Sequence, residues 1–223
     1  MRSLPLPLTL TARLLPVAVL ACAGWAWSTG PMSDSGDAEH KAAAPRSSAP
    51  HDPSRSVAAK TFAKPPAPCA TVTGATVTAL VPGAKAAGKE LAATDESVRR
   101  GCSWSALKEY DYRWLDVSFE VKESDALAKE AFVSGGDAEG TAQDLGDQAR
   151  LTTDLTTKDK QQTREAVVTA RVGNALVTVT YNGSDFESKG APSAGTVTKG
   201  ALRAAGDAVT ALQAAAKDAS RPS

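Results

Sequence analysis

The chain has 223 residues, with 25 basic and 25 acidic side chains for a formal net charge of zero, and 42% of its residues are apolar. Alanine fills 43 positions and isoleucine none, so less apolar area can be buried than that percentage suggests. These figures exclude a large multidomain enzyme, leave room for one modest domain, and lend no support to a nucleic-acid partner.

Residues 1–33 carry only two charges, Arg2 and Arg13, and the stretch from Leu14 to Trp27 is almost wholly apolar. A basic start before a short apolar run reads as an export signal or a membrane anchor. Three fates fit it. Kept as a helix, Leu14 to Met32 would span roughly 28 Å at about 1.5 Å per residue, close to the ~30 Å hydrocarbon core. Trp25 and Trp27 would then lie at the outer interface, and the arginines before the span place the N-terminus in the cytoplasm. In a lipoprotein, Cys22 in Val19-Leu20-Ala21-Cys22 would carry the lipid, although Leu20 is bulkier than usual in a lipobox. A cleaved signal would use Ala21-Cys22-Ala23. The anchor is the favoured reading, and it or lipidation would tether the protein at the extracytoplasmic face of the membrane.

Residues 34–66 are rich in Pro, Ala, Ser, Lys and Asp, with Val57 and Phe62 as their larger apolar residues. Such a segment buries too little surface to offset its chain entropy, which predicts a disordered tether. A flexible chain of that length spans on the order of 35 Å.

A single α+β extracytoplasmic domain is expected over 67–217, followed by a disordered tail at 218–223. Cys69 and Cys102 are its two cysteines, and in an oxidising compartment such a pair is most simply a disulfide. A reactive or metal-binding thiol pair is disfavoured, because there is no Cys-x-x-Cys motif and no histidine nearby. Both histidines, His40 and His51, precede the domain. That removes nucleophile–imidazole catalysis and histidine zinc sites, so neither an enzyme nor a bound metal or cofactor is expected. From Pro66 onward the balance is mildly acidic, with 18 basic and 21 acidic residues.

Val77, Leu80 and Val81 recur at helical spacing over Gly74 to Val81, and Pro82-Gly83 stops the pattern. Ala84 to Arg100 is weakly patterned and reads as partly helical. A strand through Cys102-Ser103-Trp104 follows, joined by a hairpin over Lys108 to Arg113 to a strand in which Leu115, Val117, Phe119 and Val121 alternate with polar residues. Ser124 to Val133 reads as a helix with Leu127, Ala131 and Phe132 inward, ended by Gly135-Gly136. A strand over Ala149 to Leu155, a polar bulge over Thr156 to Thr163, and a strand over Glu165 to Val172 come next. Gly173-Asn174 is a two-residue hairpin turn leading to a strand with Val177, Val179 and Tyr181 on one face. A closing helix, Thr196 to Lys217, shows a stripe of Val197, Ala201, Ala205, Ala208, Leu212 and Ala215. The predicted fold is an antiparallel sheet of about five strands covered by helices, with one disulfide.

Pro68-Cys69, Cys102-Ser103-Trp104, Leu145-Gly146-Asp147-Gln148-Ala149 and Arg171-Val172-Gly173-Asn174 occur in that order over residues 66 to 217. Their order and spacing resemble those of actinobacterial exported domains of unknown function, found mostly in lipoproteins. The pattern is also similar to the extracellular sensor domains of mycobacterial receptor kinases. The resemblance implies a sheet-and-helix fold with a ligand cleft outside the membrane; it implies no reaction.

The candidate ligand contacts are Tyr110, Tyr112, Trp114 and the adjacent Arg113, because aromatics on a hairpin can stack on a sugar or another flat ligand. The competing reading is cross-strand packing, with Trp104 against the disulfide. Trp114, opposite in phase to Leu115, is the one expected to be exposed. Asp144 and Asp147 could bind a cation or serve as an acid/base pair but read more simply as turn residues. Asp185, Glu187 and Lys189 read as solvated; the Arg99-Arg100 doublet could pair with a phosphate or a carboxylate but reads more simply as exposed. The function these residues predict is a membrane-tethered binding or sensing module for a small-molecule, cell-wall or protein ligand. An accessory subunit of an envelope complex is the alternative, and a carboxylate-based enzyme is the least favoured class.

Overall fold

The structure, a computed structural model, describes residues 60–136, 140–141 and 144–219. The export segment with Cys22, nearly all of the expected tether and the last four residues lie outside the described residues. No helix among the described residues is long and apolar enough to cross a membrane.

The described chain opens with a 3-10 turn at Pro68–Ala70 and helix α1, Gly74–Leu80. Strands β1 (Lys89–Leu91), β2 (Arg99–Lys108) and β3 (Asp111–Val121) follow, then helix α2 (Asp125–Ser134). Next come β4 (Gly140–Thr141), β5 (Gln148–Lys158), β6 (Gln161–Val172), β7 (Ala175–Asp185) and helix α3 (Ala194–Ala219). The strands form one antiparallel sheet in the order β1-β2-β3-β7-β6-β5-β4. Five of them are long, as expected; β1 and β4, of three and two residues, bring the total to seven. These short strands pair only with 101–103 of β2 and 150–151 of β5.

The alternation in β3, β6 and β7 places Leu115, Val117, Phe119, Val168, Val177 and Val179 on one buried face, with α1 and α3 packed over it. Alanine allows α3 to lie close: Ala201, Ala204, Ala205 and Ala208 are fully or almost fully buried. At Gly200 the approach is closest, since a Cβ there would sit 2.6 Å from the Tyr181 ring. Tyr181 in turn donates its hydroxyl to the Leu80 carbonyl at 2.8 Å, joining the sheet to the end of α1. The stripe departs from expectation at its end, where Ala215 is exposed and Ala216 packs instead.

Four further expectations are corrected. The folded unit begins before residue 67. Phe62 is only 5% exposed, and its N–H and C=O are both held by the buried Asn174 side chain. Residues 84–100 contain turns and β1 rather than a helix, because Gly83 and Gly88 adopt positive φ. The expected bulge at Thr156–Thr163 is the tip of a regular β5–β6 hairpin turning at Asp159-Lys160, where both φ are positive. Its residues alternate poorly because that tip extends beyond the core. In α2, capped by Ser124 Oγ accepting from the Leu127 N–H at 3.2 Å, Ala128 faces inward and Leu127 points out. The small methyl group lets α2 lie against β6 and β7 on the other face of the sheet, where Thr169 and Leu176 are buried.

Two of the short motifs form one clamp. The Asp147 carboxylate accepts from the Gly173 N–H at 2.8 Å and pairs with Arg171 at 3.0 Å, while the Asp147 N–H donates to the Arg171 carbonyl. The Leu-Gly-Asp-x-Ala turn is thereby fastened to the Arg-Val-Gly-Asn hairpin, which accounts for Asp147 structurally.

A second fastening joins α1 to α3. The Asp207 carboxylate accepts from the N–H and hydroxyl of Thr73, at 3.0 and 2.8 Å, and Thr73 caps α1. Burial acts to raise the Asp207 pKa, but hydrogen bonds from Thr76 and Thr73 and the Arg203 charge hold it below the ordinary 3.8. A depressed carboxylate adds stability above its unfolded pKa and loses it as pH falls through the folded one. Asp207→Asn should therefore flatten the acid limb of stability below about pH 4. Urea midpoints across pH 2–6 would check this; an unchanged acid limb would remove Asp207 from the account.

Candidate functional site

The face of the sheet opposite α1 and α3 is only partly covered, by α2 over β6 and β7. The strand registers align Lys89, Ser103, Asp116, Thr180, Val167 and Thr152 in one row across that face. A neighbouring row runs Ser105, Trp114, Asn182, Glu165 and Asp154. This open face is polar, with one large indole on it.

Trp114 is 39% exposed, as its phase predicts. Its Nε1–H lies 2.8 Å from Ser103 Oγ and 2.6 Å from Asp116 Oδ1, so the N–H edge of the ring is anchored while the ring remains accessible. Tyr112, two residues earlier on the same face, stacks on Phe186 with ring centroids 6.3 Å apart. Beside these rings, a groove of about 590 Å³ lies between the 83–89 segment and strands β2 and β3. Lys85, Gly88, Lys89, Ser103, Tyr112 and Trp114 line it.

The wall of this groove rests on the disulfide. Cys69 and Cys102 are bonded, with Cα atoms 5.1 Å apart. Trp104 is buried, and its Nε1–H donates to the Ala86 carbonyl at 3.0 Å, which holds the 83–89 segment in place. Gly88 passes directly over both: a Cβ there would lie 2.6 Å from Cys102 Sγ and from the Trp104 ring. With φ near +63°, the position is also one that side-chain-bearing residues rarely adopt. Trp104 is thus part of the core, in accord with the packing alternative.

The four expected contacts do not form one cluster. Tyr112 and Trp114 share the open face and line the groove. Tyr110, 57% exposed, sits in the β2–β3 turn with its carbonyl accepting from the Phe186 N–H, outside the groove lining. Arg113 points to the opposite face, since adjacent strand residues alternate. It donates to the carbonyls of Tyr112 and Ser184 at 2.9 and 3.1 Å and lines a separate cavity of about 340 Å³ with Tyr181 and Lys108. Burial raises the Tyr181 pKa there, against the lowering effect of Arg113.

Compared with known proteins, the chain matches no protein-family profile and no curated protein. A crystal structure from Bacteroides thetaiotaomicron VPI-5482 is similar over 52% of this chain and 47% of its own, at 8% identity and a TM-score of 0.32. The chain therefore spans about half the length of that protein, and the likeness carries no argument about fold or function.

Asp144 lies at the surface with φ near +64°, apart from the Asp147 clamp. Asp185 accepts from the N–H groups of Glu187 and Ser188, organising the loop before α3. Hydrogen bonds from Ser188 lower its pKa most strongly. Arg100 pairs with Glu90 at 2.7 Å, and Arg99 lines a cavity of about 440 Å³ under the 92–98 loop. Among the described residues no three His, Cys, Asp or Glu side chains converge to hold a metal ion. Lys85, Lys89, Ser103 and Ser105 belong to the groove but are absent from the sequence-based candidates. The serines could have been found, since they alternate with Cys102 and Trp104. The lysines carry no periodic signal, because they sit on turns and a three-residue strand.

Proposed function

We propose that this protein is a binding or sensing module of the cell envelope, held at the extracytoplasmic face of the membrane through its N-terminal segment, with its ligand in the groove beside β1. The observation that carries the binding reading is Trp114, an accessible indole whose orientation is already set by Ser103 and Asp116. Pre-orienting an aromatic side chain lowers the ordering cost that a ligand must overcome. The groove volume falls in the range typical of small-ligand sites, about 300–1,000 Å³. The apolar N-terminal run, the paired cysteines and the resemblance to exported sensor domains support the location.

Thermal-shift screening of the full chain against wall fragments, lipids and metal ions tests this reading. A ligand present at about a hundred times its dissociation constant stabilises by ~2.7 kcal/mol, which raises the melting temperature by several degrees. That rise should disappear in Trp114→Ala, while the unliganded variant melts close to the parent. No rise with any class, or a rise insensitive to Trp114, would refute the groove as the binding site. The accessory-subunit reading draws on α2, whose Leu127 and Val133 are 46% and 66% exposed. It would take precedence if no ligand moved the melting temperature and Leu127→Lys with Val133→Lys released the chain from a membrane complex of fixed mass.

A further inference from the structure

We infer that the groove takes an acidic saccharide, meaning a sugar unit bearing a carboxylate; this rests on the binding reading above and adds the ligand class. Three properties of the lining point the same way.

The first is the aromatic surface. Trp114 and Tyr112 stand on one face of β3, about 7 Å apart along the strand, and each ring is held by a neighbour. Paired, fixed rings on an open strand suit the flat C–H faces of successive pyranose units better than a compact apolar molecule, which would call for an enclosed cavity.

Charge is the second property. Lys85 and Lys89 are the charged side chains lining the groove, both are exposed, and neither has an anionic partner among the described residues. No carboxylate lines it. Asp116 shares the open face with Trp114 but is not part of the groove lining, and its Oδ1 accepts the indole N–H. The groove therefore presents positive charge beside an aromatic surface, complementary to an anionic group carried on a sugar.

The third is hydrogen-bonding capacity. Ser103 Oγ accepts from Trp114, which leaves its own proton free to donate. Ser105, next along the outward-facing row of β2, has no side-chain partner among the described residues. Two hydroxyls beside the rings can meet ring oxygens and hydroxyls of a saccharide.

Titration of the full chain with trigalacturonate, maltotriose and inorganic phosphate, followed by tryptophan fluorescence and calorimetry, tests the inference. Trigalacturonate should bind, weaken as salt is raised, and bind at least about tenfold more tightly than maltotriose. Trp114→Ala should weaken it by about tenfold or more. Lys85→Gln with Lys89→Gln should abolish the preference for the acidic sugar, so that this variant binds trigalacturonate no more tightly than maltotriose. Equal binding of the neutral and acidic sugars, indifference to either variant, or phosphate binding as tightly as trigalacturonate would each overturn the acidic-saccharide assignment. So would no binding of any of the three. Even then, a Trp114-dependent shift with another ligand class would preserve the broader binding reading, so the two failures are distinguishable.

Discussion

Replacing Asn174 with alanine should lower the unfolding free energy by about 3 kcal/mol, a fall in melting temperature of roughly 6–12 °C for a domain of this size. Asn174 has no exposed surface, and it joins three parts of the chain through one amide. Its Oδ1 accepts from the Phe62 N–H at 2.8 Å; its Nδ2 donates to the Phe62 carbonyl at 2.9 Å and to the Lys122 carbonyl at 2.7 Å. Removal would leave buried backbone groups without partners, which costs more than the net value of the bonds themselves. Phe62 would also lose its attachment and, with it, part of its burial. Calorimetry of the variant decides the matter: a loss under about 1 kcal/mol would mean that water replaces the amide and that Asn174 is an ordinary turn residue.

Removal of the disulfide in Cys69→Ala/Cys102→Ala should cost about 3–4 kcal/mol on the chain-entropy account, given a sequence separation of 33 residues. That is a large share of the ~5–15 kcal/mol that holds a typical domain together. The effect should also reach the groove. Gly88 lies over the Cys102 sulfur and the Trp104 ring, and Trp104 fixes the Ala86 carbonyl, so loosening this stack frees the wall carrying Lys85 and Lys89. Chemical denaturation in the presence and absence of reductant would measure the stability term. Cys102 is fully buried while Cys69 is partly exposed, so a reductant should attack at the Cys69 sulfur. A double variant as stable as the parent would contradict this account.

The alternating strands were legible because one face of the sheet is covered by helices and the other by polar residues, which imposes a period of two. Leu115 to Val121 and Ala175 to Tyr181 show it clearly, and the structure agrees in register. The pattern fails where that asymmetry fails. The tip of the β5–β6 hairpin is polar on both sides, and β1 is too short to show any period. Helix α2 misled for a different reason: hydrophobicity favours Leu127 as the inward residue, yet the close approach of helix to sheet selects Ala128. At the candidate site, the exposed phase of Trp114 could be read from its own strand. Its partner Asp116 lies two residues on along the same strand, but Ser103 and the lysines beside it come from separate segments that no local pattern records.

By itself, the amino-acid sequence determined the class of fold, the bonding of Cys69 to Cys102 and the alanine-rich helix that can lie close to a sheet. These follow from local periodicity, residue size and the small number of cysteines. Tertiary structure alone decided that Phe62 belongs to the domain, that Asp147 locks a hairpin, that Arg113 and Trp114 line different cavities, and that two lysines flank the exposed indole. Each of those facts depends on separate segments of the chain meeting in the folded state. Register is set by the burial of a whole face at once, not by any single segment.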